Sequence, residues 1–487
     1  MSSLPSNAFI HPNGDNAEEI AALLHQVVTL LVEEMTSAEA RSPLPKPLET
    51  DTLTQWAHIP EQSVDINKLL ATVREHIRHS MNAAHPGYIG HMDSIPTTAS
   101  VVGDLISAAL NNNMLSVEMS PVFSRLEPLM MQQITARFGL GPNSGGVIVS
   151  GGSLANLQAL TVARNVAFDA VNSGIVGLDR QPVFFVSEVA HTSMQKAAMM
   201  MGLGASAAIA IRTNVNSQID IKDLAAQIDQ AKSNHQQPFA VVATVGTTVT
   251  GNIDPIEAIA HLAQQHNLWL HVDAAYGGAL AFCDRYRHLL AGIHRADSIT
   301  FNPQKWLYVA KTCATVMFRD FRALTDHFRI LAPYMGDDSA WANLGEFTVQ
   351  GTRHPDILKL WLSLQHIGSK GYSEIIERNY QLTEQFTQAV VARQSYLQLA
   401  SQPQMNLICF RLAPPNISEN KWDKLNAHLQ TYLHASKGDE RQSIFLSLPS
   451  YRQRKWLKAV LLNPFTTEAT IQHLFEKIDT FAHMQIP

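Results

Sequence analysis

Two short segments place reactive side chains at the ends of apolar runs: HVDAAYGG at 271–278 and FNPQKW at 301–306. Asp273 closes the first run. A carboxylate there is left at the carboxyl edge of a sheet, where open α/β folds bind their ligands. Lys305 stands just past the second run, in a Pro-containing turn beside Trp306. An amine held among apolar and aromatic groups gives up its proton more easily and can bond covalently to a carbonyl carbon. Each residue alone has an ordinary explanation. An Asp after a strand usually caps or turns the chain, and a lone Lys in a turn is usually a solvated charge.

The surroundings strengthen the pair. SGGSLANLQAL (150–160) reads as a strand end, a Gly-Gly turn and a helix start, with Ser153 as cap. Free N–H groups and the positive end of the helix dipole make such a start a phosphate site. His191, in SEVAHTS, directly follows another strand, where a neutral imidazole can stack on a ring. ATVGTTVTGNIDP (243–255) follows a further strand, with Thr247 and Thr248 as hydrogen-bonding groups and Gly246 and Gly251 for tight turns. Four strand ends thus offer a ring-facing carboxylate, a covalent amine, a phosphate cradle and a stacking imidazole. Together they are the protein half of a pyridoxal phosphate site. Asp273 would keep the pyridine nitrogen protonated, so that the ring accepts electrons from a bond breaking at the substrate Cα.

These strand ends need a scaffold. From about residue 145 apolar runs alternate with helical stretches: VIVS (147–150), PVFFVS (182–187), ASAAIAI (205–211), FAVVATV (239–245), LWLHVD (268–273), DSITFN (297–302) and TCATVMF (312–318). Helices are expected from Ser153, from about 191, at 220–233 and at 255–266. Uninterrupted apolar runs separated by helices indicate βα units and a mainly parallel, buried sheet. Upstream, 1–14 read as a loose tail, 20–35 as an amphipathic helix, 41–51 as an extended Pro-rich linker and 65–83 as a helix capped by Asp65. Downstream, helices are expected at 355–367 and 372–395, strands within 397–412, 443–448 and 456–463, and an amphipathic final helix at 466–481.

Composition sets outer limits. Of 487 residues, 46% are hydrophobic and 16% charged, which excludes a disordered chain. The formal net charge is −6, so no basic excess is available to neutralise phosphates and no nucleic-acid partner is expected. The three cysteines, Cys283, Cys313 and Cys409, form neither a CxxC nor a metal-spaced pair. That usage points to a reducing cytoplasm and to no metal site. The first basic residue is Arg41, so no signal peptide is expected, and the uncharged run between Lys196 and Arg212 is too short to span a membrane.

Eight motifs fall in one order along the chain: HPGYIGHM (85–92), NNNM with EMSP and LE within 111–127, SGGSLANL, SEVAHTS, ATVGTT, HVDAAYGG, NPQKW and GTRHPDILKLWL (351–362). In them the chain resembles the pyridoxal-phosphate-dependent group II amino-acid decarboxylases, from about residue 80 to the end. That family includes glutamate, cysteine sulfinate, 2,4-diaminobutyrate and aromatic-amino-acid decarboxylases. The resemblance implies an α/β fold of the aspartate-aminotransferase type (fold type I). It implies an N-terminal helical segment (1–84), a large cofactor domain (85–370), a small C-terminal α+β domain (371–487) and a homodimer. By motif, Lys305 would carry the cofactor, Asp273 would meet its ring nitrogen, Ala275 would pack beneath the ring and His191 above it. Thr248 would lie near the ring substituents. Gly152, Ser153, Asn302 and Gln304 would hold the phosphate, Arg353 would anchor the end of the active-site loop, and His91 and Lys458 would contact substrate.

Three departures from the family pattern bear on the chemistry. Gln304 stands where many relatives have His before the lysine. Residues 335–352 contain no Tyr, which leaves His191 or Tyr334 as the proton donor at Cα. Lys458 replaces the Arg with which relatives grip an acidic side chain, keeping the charge and losing the bidentate geometry. The expected reaction is α-decarboxylation of an acidic amino acid (glutamate, aspartate or cysteine sulfinate), releasing CO₂ and an amine. The alternatives are 2,4-diaminobutyrate or an aromatic substrate, or another lyase or aminotransferase reaction on the same scaffold.

Overall fold

The structure, a computed structural model, describes residues 4–331, 341–435 and 438–486. It divides into two compact units. One comprises Met1–His91, Pro414–Leu448 and Asn463–Pro487; the other comprises Met92–Ala413 and Pro449–Leu462.

The second unit is built on a seven-stranded sheet: β1 (Gly145–Val149), β2 (Gln181–Ser187), β3 (Ala208–Ile211), β4 (Gln236–Thr244), β5 (Trp269–Asp273), β6 (Ser298–Phe301) and β7 (Ala314–Phe318). Their spatial order is β1-β7-β6-β5-β4-β2-β3. From β3 through β6 all neighbours are parallel, and β7 alone runs against both β6 and β1. The expected mainly parallel α/β sheet is therefore present. Its strands are buried on both faces, as their unbroken apolar runs require: Val183, Phe184, Phe185 and Val186 have no exposed surface. The reversal at β7 has a local cause. No helix lies between Phe301 and Ala314, and a chain that returns without a crossover helix can only pair antiparallel. Lys305 lies in that return.

Helices Gly152–Phe168, Ser193–Met200, Ile221–Ser233 and Ile256–Gln265 separate the strands. The third starts at Asp220, whose carboxylate accepts from the amides of Lys222 and Asp223. The two helices expected after Pro355 form one element, Asp356–Val391, broken at Gly368 (φ 70°, ψ 166°). A smaller antiparallel sheet follows, with β8 (Leu397–Leu399) and β9 (Leu407–Leu412). A two-residue hairpin, β10 (Ser450–Tyr451) with β11 (Arg454–Lys455), leads into β12 (Leu457–Val460), which pairs with β9.

In the first unit, helix Ile66–Arg78 begins at Asp65, which accepts from the amides of Asn67 and Lys68, as the cap pattern predicts. Helix Ala17–Thr36 buries Glu34, which accepts from Arg78 Nε (3.1 Å). Two expectations fail. Residues 443–448 are not a strand: Phe445 makes a single bridge, to Tyr88, bonding Gly87 O and Ile89 N. Their apolar pattern reflects packing rather than a ladder. The Pro-rich linker is extended only in part, because its prolines all precede a short helix, Thr50–Trp56. The sequence also gave no warning of helix Thr98–Leu110 or Phe123–Arg137 in the second unit. No helix among the described residues is long and apolar enough to cross a membrane.

Candidate active site

Asp273 ends β5 at the carboxyl edge and is 6% exposed. Its Oδ1 accepts from the Ala275 amide (3.1 Å) and its Oδ2 from Asn156 Nδ2 (2.9 Å). Both oxygens therefore face N–H donors, which suits a carboxylate. Lys305 follows β6 in a turn tied by Lys305 N to Asn302 O (3.0 Å) and Gln304 N to Cys313 O (3.3 Å). Trp306 beside it is fully buried, stacks on Tyr276 (5.1 Å between ring centres) and donates from Nε1 to Asn379 Oδ1 (2.7 Å). Enclosure by protein pushes the Lys305 amine below the ordinary lysine range, while Asp273 and Asp93 pull it up and Lys311 pushes it further down. Such an amine is prepared for covalent bonding to a carbonyl.

His191 lies open on the same cavity. Its Nδ1 accepts from the Ser193 amide (3.2 Å), so the ring proton of the neutral form sits on Nε2. Burial lowers its pKa; Asp273 opposes this, and Lys305 and Lys196 add to it.

A cavity of about 430 Å³ brings together Gly152, Ser153, His191, Thr248, Asp273, Ala275, Asn302, Gln304 and Lys305. These residues come from five chain segments, gathered because every parallel strand of the sheet ends on one edge. Two of the predicted residues do not line it. Lys458 is described below. His91 belongs to the first unit, where its ring lies 5.3 Å from that of Phe445. Tyr334 lies outside the described residues.

The cavity suits pyridoxal phosphate on three counts. Helix Gly152–Phe168 is capped by Gly151, not by Ser153 as its sequence suggested, and no side chain bonds its first amides. Those amides stay available to an anion. A Cβ at Gly152 would come within 2.7 Å of Asn302 Nδ2, so only bare backbone lets Asn302 approach. Asn302 Oδ1 and Thr244 Oγ1 are buried with no hydrogen-bond partner. Orphaned polar groups at a cavity mark where a bound polar molecule completes the bonding. The residues fit the cofactor.

Support comes from further off. Gly246 adopts φ 91°, and a Cβ there would meet Met405 Sδ at 2.8 Å; this glycine sets the loop that carries Thr248. Arg353 donates to both Glu127 oxygens (2.6 and 2.8 Å) and to Ile148 O (2.7 Å), pinning the chain after residue 350 to β1. Sequence reasoning missed Asn156. Its signal was available, since Asn156 lies four residues after Gly152 on the same helix face.

The family described as Pyridoxal-dependent decarboxylase conserved domain matches residues 47–413. The chain belongs to that family. As a pyridoxal-dependent decarboxylase it is an enzyme that takes pyridoxal phosphate as cofactor and removes CO₂ from an amino acid. Among curated relatives, the acidic amino acid decarboxylase GADL1 of Mus musculus is 29% identical over 426 residues, covering 85% of this chain and 76% of the relative. Among solved structures, mouse CSAD superposes with a TM-score of 0.87 at 27% identity, over 96% of this chain and 99% of that one. The tryptamine-bound Oryza sativa TDC superposes with a TM-score of 0.90 at 24% identity, over 98% of this chain and 100% of that one, and speaks for the fold alone.

Proposed function

We propose that this decarboxylase acts on an amino acid with an acidic side chain, and that Lys458 receives the distal acidic group. The observation that carries the reading is the setting of Lys458. It lies on β12, is 5% exposed, and donates to the backbone carbonyl of Thr248 (3.3 Å), a residue of the cavity wall. A solvent-facing position on an alternating strand is thus ruled out; both faces of β12 are covered. Burial pushes the Lys458 amine below the ordinary lysine range; Cys409 and Asp93 pull it up and Lys305 pushes it down. Among the described residues no carboxylate forms an ion pair with it, and Asp93 pairs instead with Lys311 (2.5 Å). A buried amine without a counter-charge favours a ligand that brings one. The curated relative named as an acidic amino acid decarboxylase supports the same class.

In this reading the amides of Gly152 and Ser153, with Asn302 and Gln304, would hold the phosphate. Gln304 Oε1 is held by the Cys313 amide (2.5 Å), which leaves its Nε2 free to donate. Ala275 and His191 would take the two faces of the ring, Thr248 would meet its substituents, Asp273 would keep a proton on the ring nitrogen, and Lys305 would attach the cofactor. Bound there, pyridoxal phosphate takes up the electron pair set free when the Cα–carboxylate bond breaks. His191, with its proton on Nε2, supplies the proton that Cα then needs. Cys283, Cys313 and Cys409 are buried and unpaired, in keeping with a cytoplasmic enzyme.

Losing one partner of a buried ion pair costs ~3–5 kcal/mol, against ~0–1 for an exposed pair. Lys458→Met should therefore lower kcat/KM on glutamate or aspartate by roughly a hundredfold or more, with Lys458→Arg milder. An unchanged rate on the acidic substrate would remove Lys458 from the substrate site. A gain by Lys458→Met on 2,4-diaminobutyrate would favour the basic substrate instead.

The active form is proposed to be a homodimer. Helix Ala17–Thr36 exposes Leu24, Val28, Leu31, Val32 and Met35, and helix Thr98–Leu110 exposes Val101, Val102, Leu105, Ile106 and Leu110. Apolar stripes of this size are ordinarily covered by a partner. Sedimentation should find the active species at twice the chain mass; an active monomer would end this reading.

A further inference from the structure

Behind Asp273 the protein buries a row of polar side chains, of which only the first, Asn156, lines the cavity. Asn156, His271 and Ser298 are 2%, 0% and 0% exposed. Asn156 Nδ2 donates to Asp273 Oδ2 (2.9 Å) and to Ser193 Oγ (3.0 Å). Asn156 Oδ1 lies 3.0 Å from His271 Nε2, and His271 Nδ1 lies 2.9 Å from Ser298 Oγ. Trp269 Nε1 donates to the same Ser298 oxygen (2.8 Å). Thr300 Oγ1, at 3.5 Å from His271 Nε2, is a weaker neighbour. The strands set this row. Trp269, His271 and Asp273 alternate onto one face of β5, and Ser298 stands opposite His271 in the β5–β6 register.

The carboxylate end of the row dictates the direction of its hydrogen bonds. An indole nitrogen can only donate, so Ser298 accepts from Trp269, and its own proton is available to His271 Nδ1. A carboxylate can only accept, so Asn156 must turn its Nδ2 to Asp273, leaving its Oδ1 to face His271. That oxygen needs a donor. The Asp273 end therefore requires a proton on His271 Nε2, and in the neutral ring Nδ1 is then left to accept from Ser298 Oγ. Burial agrees, pushing the His271 pKa down to about 4 against the pull of Asp273 and of the Ser298 backbone. An imidazolium at this place would compete with the ring nitrogen's proton for the Asp273 carboxylate.

We propose that Trp269, Ser298, His271 and Asn156 form a one-way hydrogen-bond chain that holds Asp273 as an oriented carboxylate toward the cofactor ring, with His271 and Asn156 as positioning residues. The inference rests on the role given above to Asp273.

Two measurements test it. In the holoenzyme labelled with ¹⁵N-histidine, the His271 signals, assigned by their loss in His271→Gln, should show a neutral ring protonated on Nε2. An imidazolium, or a proton on Nδ1, overturns the chain whatever Asp273 does. The second is cofactor affinity of the apoprotein, read by titration with pyridoxal phosphate. His271→Leu strips both links and leaves Asn156 and Ser298 unpaired, so binding should weaken roughly tenfold or more and kcat should fall more than KM rises. His271→Gln, which still offers one donor and one acceptor, should recover most of that loss. Wild-type affinity and kcat in His271→Leu overturn the proposal. If His271→Leu does not fold, the tautomer measured in the wild-type enzyme still decides. Near-normal turnover of Asp273→Asn alongside the expected His271 tautomer would instead defeat the assigned role of Asp273, and so separates the two failures.

Discussion

Lys305→Ala is expected to reduce turnover to background while leaving the fold intact. The amine reaches the cavity from the turn immediately after β6, and its enclosure keeps it below the ordinary lysine range. Covalent attachment needs an unprotonated amine at low cost, and that setting supplies it. Lys305 makes no ion pair among the described residues, and the turn is held by backbone bonds from Gln304 N and Lys305 N rather than by the side chain. Removing the amine should therefore leave the thermal midpoint near that of the wild type. Borohydride reduction of the holoenzyme followed by peptide mapping should put the cofactor on Lys305. A label on Lys196, Lys311 or any other lysine would sink the assignment.

Asp273→Asn is expected to keep weakened cofactor binding and to lose most of the activity, by roughly 10²–10⁴-fold in kcat. Two effects add. An amide cannot hold a proton on the ring nitrogen by charge. It also fits its surroundings poorly: Oδ1 faces the Ala275 N–H and Oδ2 faces Asn156 Nδ2, so either orientation of the new amide sets one N–H against another. Absorbance titration of the bound cofactor with pH, alongside kcat, separates charge from fit. Turnover near that of the wild type would give the carboxylate a structural role only.

The two effects differ in how far the sequence could anticipate them. The strand ends at Asp273, His191 and Lys305 were legible because the sheet is parallel and doubly buried. Its strands appear as unbroken apolar runs, and a polar residue at the end of such a run has one place to go, the carboxyl edge. The helix start at Gly152 was legible for a similar local reason, although the cap proved to be Gly151. Segment 443–448 misled because a short apolar run bounded by polar residues reads the same whether it pairs in a ladder or only packs.

Local pattern thus determined the α/β class, the order of strands and helices around the site, and the residue types that select a pyridoxal-type cofactor, since each depends on neighbours within a few positions. Tertiary structure alone decided the burial of Lys458 and the backing of Asp273. Period-2 alternation cannot say that both faces of a four-residue strand are covered, and no spacing rule joins Asn156, His271 and Ser298. They meet because a helix packs on the sheet and because two strands, β5 and β6, take one register. Hydrogen bonds between residues so far apart in sequence exist only once that packing is complete.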